Sequence, residues 1–114
     1  MKKTITIKKN YEFKQIFSKG KFYNGRYIHM YILKNKIDYN KIGLALSKKA
    51  GNAVKRNHVK RLIRENYKTL ENDIKIGNNI LIILNKKENI EEINFYNIKK
   101  DFESIFEKAG ILLN

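Results

Sequence analysis

The chain has 114 residues, of which 42% are hydrophobic, and its 25 Lys or Arg against 11 Asp or Glu give a formal net charge of +14. This length fits one domain, and the apolar content is enough for a folded core, which excludes a disordered chain. The absence of Cys excludes disulfides and thiolate metal sites. No apolar run approaches the ~20 residues of a membrane span, and the N-terminus lacks a signal peptide's apolar segment. We expect a single cytoplasmic domain over residues 1–114.

The first half of the chain predicts a helix followed by a long strand. The helix covers Asn10–Lys19 and ends at Gly20. The strand covers Lys21–Leu33, with a kink at Asn24-Gly25. Its alternation puts three aliphatic residues on one face and three aromatic residues on the other: Ile28, Met30 and Ile32 against Tyr27, His29 and Tyr31.

The second half predicts a strand, a long helix, a buried strand and a last helix. The strand Lys41–Ser47 leads through a basic loop to Asn52, which can cap a helix over Ala53–Leu70. The apolar segment Asn79–Asn85 is the buried strand, and Asn94 can cap the last helix. An apolar stripe marks that helix: Phe95, Ile98, Phe102, Ile105 and Ala109. The predicted fold is α+β, an α-β-β-α-β-α sandwich with one sheet.

Positive charge is concentrated in the first part of the sequence. Residues 1–64 hold 18 Lys or Arg against Glu12 and Asp38, a net charge of +16, whereas residues 65–114 hold 7 against 9 acids, a net charge of −2. A folded domain gains nothing internally from such repulsion, so the pattern favours a polyanionic partner. The alternatives are a generally solvated basic surface and an anionic membrane, which would require large apolar residues free to insert.

The helix Ala53–Leu70 has two opposite faces. One arc is apolar and is needed for the core: Val59, Leu62, Ile63, Tyr67 and Leu70. The other arc, which we name the basic strip, consists of Asn57, Lys60, Arg61, Arg64 and Lys68. Like charges four residues apart destabilise an isolated helix by a few tenths of a kcal/mol per pair, and a phosphate backbone reverses that effect. The strip therefore indicates a nucleic-acid-binding surface, with Arg suited to phosphate oxygens.

The segment GNAVKRNHVKRLIRE, from Gly51 to Glu65, resembles the signature helix of the bacterial ribonuclease P protein subunit, which carries an Arg-Asn-Arg element. The other segments follow the family's order: a helix with Phe13 and Phe17, a strand with Arg26 and Tyr31, then GLALSKK and ILII. The resemblance covers roughly residues 8–108.

One position departs from the family pattern, because His58 stands where the family usually has Arg. Two interpretations are open. His58 either keeps a hydrogen bond to RNA without a fixed charge, or it is a boundary residue partly covered by the sheet or by Glu65.

The resemblance implies the accessory subunit of an endoribonuclease that removes the 5′ leader of precursor tRNA. The catalyst would be the large RNA subunit, which would hold the Mg²⁺ ions, so no catalytic or metal-binding residue is expected in the protein. Its partners would be the catalytic RNA and precursor tRNA, with no membrane and no small-molecule substrate. The implied RNA-binding residues are Lys48, Lys49, Arg56, Asn57, His58, Lys60, Arg61, Arg64 and Lys68. The implied leader-binding cleft is lined by Phe13, Phe17 and Tyr31, although Phe13 and Phe17 can equally be core residues.

The resemblance also implies a fold like the second domain of ribosomal protein S5. Its central sheet would be mixed, with a left-handed crossover from the GLALS strand through the signature helix to the ILII strand, against the usual right-handed rule. Two other functions stay open. One is a general RNA-binding module, ribosome-associated or an RNA chaperone, without a role in tRNA processing. The other is a protein-only metal nuclease, for which two His, no Cys and no paired carboxylates in the basic half offer few ligands.

Overall fold

The computed structural model describes residues 4–47 and 51–113, which form one mixed sheet with helices on both faces. The strands are β1 (Thr4–Thr6), β2 (Lys21–Asn24), β3 (Ile28–Lys34), β4 (Asn40–Ala45) and β5 (Asn78–Leu84). The helices are α1 (Asn10–Lys19), α2 (Ala53–Leu70) and α3 (Phe95–Ala109), with short 3-10 turns at Glu71–Asp73 and Ile90–Glu92. The spatial order is β1-β4-β5-β3-β2. Strands β1, β4 and β5 are parallel to one another, β3 is antiparallel to β5, and β2 is antiparallel to β3. The predicted α+β class with one mixed sheet is confirmed.

The prediction of one kinked strand over Lys21–Leu33 is wrong, because this segment is a hairpin. Asn24 pairs with His29, so the chain reverses direction between β2 and β3. The reversal is held from outside the hairpin: the Asp101 carboxylate on α3 accepts backbone N–H bonds from three successive residues of the turn and the start of β3, Arg26, Tyr27 and Ile28. Tyr27 consequently leaves the predicted aromatic face and is buried in the core on the opposite side of the sheet.

The first strand, β1, was not predicted, and the observed element order is β-α-β-β-β-α-β-α. It has only three residues, Thr4–Thr6, and pairs in parallel with the start of β4. Three residues are too few for an alternation pattern to stand out from their surroundings. The strand forms because β4 offers a free edge.

Two cores lie on opposite faces of the sheet. The larger core packs the sheet against α2 and α3, and the smaller core lies beneath α1 around Ile7, Ile16 and Leu81. The ring of Phe13 packs over Gly43 in the smaller core, where a Cβ atom would approach the ring to 2.7 Å. Gly43 thus allows α1 to lie close to the sheet.

Helix α2 matches the predicted bounds and the predicted faces. Its core side buries Val59, Ile63 and Tyr67. Asn52 caps its start, accepting the Lys55 N–H at 2.9 Å, and Asn94 caps α3 in the same way. The β4–α2–β5 connection joins two neighbouring parallel strands. Its left-handedness stays a prediction. Across residues 4–47 and 51–113, no helix combines the length and apolar character required to cross a membrane.

Candidate RNA interface

The basic strip on α2 divides into two rows with different electrostatic environments. One row consists of Lys60, Arg64 and Lys68, and the other consists of Asn57 and Arg61. Lys60, Arg64 and Lys68 follow one another at four-residue spacing, and within the described part of the chain no carboxylate pairs with them. Arg61 differs, because its Nε lies 3.0 Å from the Glu65 carboxylate. The first row therefore carries the uncompensated charge of the strip.

The first two turns of α2 present Arg56, Asn57 and His58. Arg56 Nη1 donates to the Gly51 carbonyl at 2.8 Å, which fixes the loop that enters the helix. Asn57 and His58 are exposed. The interpretation of His58 as a covered boundary residue is wrong, because the sheet leaves it open and Glu65 pairs with Arg61 instead. Lys48 and Lys49, also predicted RNA ligands, lie outside the described residues.

Four rings form a continuous line across the opposite face of the sheet, and we name this set the aromatic row: Phe17, Tyr31, Phe22 and His29. The ring centroids are 4.8 Å apart for Phe17 and Tyr31, 5.1 Å for Tyr31 and Phe22, and 5.2 Å for Phe22 and His29. Phe17 is 45% exposed and Phe22 46% exposed. Phe17 and Phe22 therefore offer ring surface to solvent, while Tyr31 between them is half-buried against the smaller core.

The structure separates the predicted cleft residues. Phe17 and Tyr31 lie side by side in the aromatic row, whereas Phe13 packs into the smaller core over Gly43. Phe22 was missed because a single strand would have placed it far from Tyr31, while the hairpin register pairs the two directly. The signal that could have found it is the Asn24-Gly25 dipeptide, which is a turn signature between two strands.

A cleft of about 780 Å³ adjoins the aromatic row at Phe17 and follows the ends of β4 and β5 into the loop after β5. Its lining includes Ala45, Ile83, Asn85 and Ile90. Ile90 lies beside Gly51, where a Cβ atom would meet it at 3.4 Å, and Lys55 of α2 pairs with Glu91. The cleft thus runs from the aromatic row to the turn Ile90–Glu92, which contacts the start of α2.

His29 lies on β3, next to the edge strand β2, in surroundings that favour its neutral form. Burial lowers its pKa from the ordinary value of 6.5, against smaller opposing effects of the Asp101 charge and a hydrogen bond with Asn85. Its Nδ1 accepts the Gly25 N–H at 3.3 Å, which requires an unprotonated nitrogen. A neutral ring suits stacking next to Phe22.

Metal ligation has little basis in residues 4–47 and 51–113, where no group of three or more His, Asp or Glu side chains is positioned to hold an ion. The arrangement can bind phosphate groups along α2 and stack unpaired bases along the aromatic row.

Comparison with known proteins gives a consistent result. The family model described as Ribonuclease P matches residues 1–110. The ribonuclease P protein component of Thermoanaerobacter sp. (strain X514) is 36% identical over 110 residues, covering 96% of this chain and 93% of that protein. That of Fusobacterium nucleatum is 39% identical, covering 94% of this chain and 98% of that protein. Among solved structures, the Staphylococcus aureus RNase P protein has a TM-score of 0.83 at 34% identity, covering 96% of this chain and 98% of that one. The Thermotoga maritima RNase P protein has a TM-score of 0.81 at 28% identity, covering 90% and 96%.

Proposed function

Because this chain belongs to the ribonuclease P protein family and is the protein subunit of that tRNA-processing endoribonuclease, we propose that it binds the catalytic RNA and the 5′ leader of precursor tRNA through two different surfaces. The observation that carries this proposal is the cleft that leads from the aromatic row to the Ile90–Glu92 turn, which pairs with Lys55 at the start of α2. One surface stacks bases, and the other neutralises phosphates.

The leader occupies the cleft and the aromatic row. Aromatic faces stack on unpaired bases of any identity, which contributes ~1–3 kcal/mol per base and suits leaders of varied sequence. Phe17 and Tyr31 are the central contacts, and Phe22 extends the stacking surface towards the edge of the sheet. Phe13 contributes indirectly, because its packing over Gly43 fixes the position of α1.

The catalytic RNA lies along α2. Its contacts are the predicted residues of the basic strip together with Arg56, His58, Lys48 and Lys49. Releasing counterions from RNA gives this contact its affinity, so binding weakens steeply as salt is added. The unpaired row of Lys60, Arg64 and Lys68 supplies most of that effect, because Arg61 already has Glu65 as a partner.

The protein positions the leader and neutralises phosphate charge, and the RNA subunit catalyses the cleavage. Mg²⁺ ions are held mainly by the RNA subunit. Cations on α2 reduce the repulsion between leader and catalytic RNA, so fewer Mg²⁺ ions are needed to bring them together. The protein thereby favours precursor over mature tRNA, which lacks the leader.

The test is cleavage of precursor tRNA by the cognate catalytic RNA at limiting Mg²⁺, with and without the protein. We expect strong stimulation by the protein and its loss in Arg56→Ala and Arg64→Ala variants that unfold at the wild-type temperature. Glu103→Ala, an exposed change on α3, is the control. Tight RNA binding without stimulation of cleavage would instead establish the alternative, a general RNA-binding module.

A nuclease activity of the protein alone is tested in the same assay by omitting the RNA subunit. One solved S. aureus RNase P protein with a TM-score of 0.81 to this chain is a mutant with defective mRNA degradation activity. For this chain we expect no cleavage without the RNA subunit. Cleavage that follows the purified protein through a second chromatographic step would overturn that expectation.

A further inference from the structure

A second concave site lies between α2 and the edge of the sheet formed by β1 and β4. Its volume is about 370 Å³, and we name it the β1–α2 groove. Its lining includes Thr4, Thr6, Ile42, Leu44, Tyr67 and Glu71, and Lys60, Arg64 and Lys68 lie along one rim. It lies on the face of the sheet that carries α2, whereas the aromatic row lies on the other.

The rim of the groove is the unpaired row of the basic strip. Lys60, Arg64 and Lys68 lie on successive turns of α2, about 6 Å apart by helix geometry. This spacing is close to the distance between successive phosphates of an RNA strand. A phosphate chain running along this rim would meet one cation per nucleotide.

The floor of the groove is apolar. Ile42 and Leu44 of β4 are half-buried side chains that pack against the larger core, and each keeps part of its surface open to the groove. A flat base laid on these side chains would cover apolar surface that water now contacts, which stabilises the bound state.

The far end of the groove is a polar cluster on the Tyr67 side of α2. The Thr4 hydroxyl lies 2.8 Å from the Tyr67 hydroxyl and donates to the Glu71 carboxylate. Burial raises the pKa of Tyr67, so its hydroxyl keeps its proton. Glu71 is a pure acceptor with further lone pairs to offer, and it is partly open to the groove.

We propose that the β1–α2 groove binds one unpaired nucleotide of an RNA, with the phosphates on the cationic rim, the base on the apolar floor and the base edge at Glu71. Guanine fits best, because its N1–H and 2-amino group offer two donors on one edge to a carboxylate. An acidic peptide would bring further carboxylates next to Glu71, and a membrane surface cannot enter a concave site. The inference rests on the proposed function only in that α2 faces RNA.

The first test is binding of 5′-GMP to the full chain, followed by backbone amide chemical shifts. We expect GMP to move the amides of Thr4, Thr6 and Leu44, and 5′-UMP to bind more weakly. Inorganic phosphate should move only amides of α2. The proposal would be overturned if phosphate and GMP changed the amide chemical shift of Thr6 equally. It would also be overturned if GMP changed only the chemical shifts of α2 amides.

Two neighbouring positions on β1 provide matched variants. Thr4 contacts α2, and Thr6 lies two residues further on the same face, while Ile5 faces the other side and is 48% exposed. Thr6→Trp should fill the groove and weaken GMP binding about tenfold, by loss of base contact. Ile5→Trp should leave GMP binding unchanged. Equal GMP affinity in the two variants would overturn the proposal.

Glu71→Gln tests whether Glu71 recognises the base, because GMP and UMP carry the same phosphate and differ only in the base. It should reduce the preference for GMP over UMP, because an amide offers a donor where the carboxylate only accepts. Unchanged preference in a folded variant would remove Glu71 from the site and overturn guanine recognition. These measurements use the protein alone, so they test the groove even if the protein does not stimulate leader cleavage. Conversely, stimulation of cleavage supports the proposed function even if GMP does not bind the groove.

Discussion

The Asp101 carboxylate on α3 accepts the Tyr27 backbone N–H at 2.7 Å, although the two residues are 74 positions apart in the sequence. The same carboxylate also accepts the N–H groups of Arg26 and Ile28. Three backbone donors converge on one buried side chain, so the turn between β2 and β3 depends on α3. The hairpin in turn places Phe22 beside Tyr31, which links this buried contact to the aromatic row.

Replacing Asp101 by Asn should therefore destabilise the fold. The amide group would present N–H donors to N–H donors, and hydrogen bonds to a charged acceptor contribute ~1.5–3 kcal/mol. We expect the free energy of unfolding to fall by about 2 kcal/mol in urea denaturation. Glu103→Gln, an exposed carboxylate on the same helix, is the control and should unfold like the wild type. Equal stability of Asp101→Asn and the wild type would show that solvent or neighbouring groups replace the carboxylate.

Removing a ring from the aromatic row should weaken binding of precursor tRNA. Tyr31→Ala and Phe17→Ala are each expected to reduce precursor affinity of the holoenzyme by about five- to 100-fold, through the loss of stacking on one base. Affinity for mature tRNA should not change, because it has no leader. The control is Tyr96→Ala, which removes a 71% exposed ring on α3. If Tyr31→Ala kept wild-type precursor affinity and salt dependence, the leader would lie elsewhere.

The two rows of the basic strip should differ in their salt dependence. Arg64→Ala is expected to make the slope of log affinity for the catalytic RNA against log salt less steep by about 0.7–0.9, the contribution of one phosphate contact. Arg61→Ala should change the slope less, because Glu65 already neutralises part of that charge. Filter binding at four salt concentrations measures both slopes. Equal slopes for the two variants would place both side chains equally on RNA and contradict the division into rows.

His29 should make stability depend on pH. Burial lowers its pKa in the folded chain below the ordinary 6.5, so the unfolded state holds more protons between these two values. The free energy of unfolding must then decrease as the pH falls through that window, and the loss is complete below the folded-state pKa. We expect His29→Phe, which keeps a ring beside Phe22, to show a smaller loss between about pH 7.5 and about pH 5 in urea denaturation.

His58→Gln is the matched control for that measurement, because it removes the other, exposed histidine. A pH profile that is identical in the wild type and in His29→Phe would mean that folding does not lower the pKa of His29, which would contradict this prediction.

The parts of the fold that the sequence predicted correctly are those decided locally. Helix α2 was predicted with its observed bounds, because its start has an Asn cap and its apolar residues recur with helical period. The β2–β3 hairpin was not predicted, although Asn24-Gly25 marks its turn, and the contact with Asp101 on a distant helix that stabilises this turn is not visible in the sequence. Strand β1 was not predicted, since it needs the edge of β4.

The candidate site follows the same division. The basic strip was predicted because its helical spacing lies within one segment of the sequence, and Tyr31 was predicted from its strand face and from the family resemblance. Phe22 enters the aromatic row only through the hairpin register. The difference between Arg61 and Arg64 follows from helical spacing, because Glu65 lies four residues after Arg61 and pairs with it, whereas the adjacent residues Arg64 and Glu65 do not face each other.

The central position of β5 has a consequence for biosynthesis. It is hydrogen-bonded to β3 on one side and to β4 on the other, so the sheet stays in two pieces until residue 84 has been made. By residue 64 the growing polypeptide already carries 18 of its 25 cationic side chains. At ~5–20 residues per second, translation leaves this polycation without its middle strand for about one to four seconds. During that interval the nascent chain is an unfolded polycation beside the RNA of the ribosome that makes it.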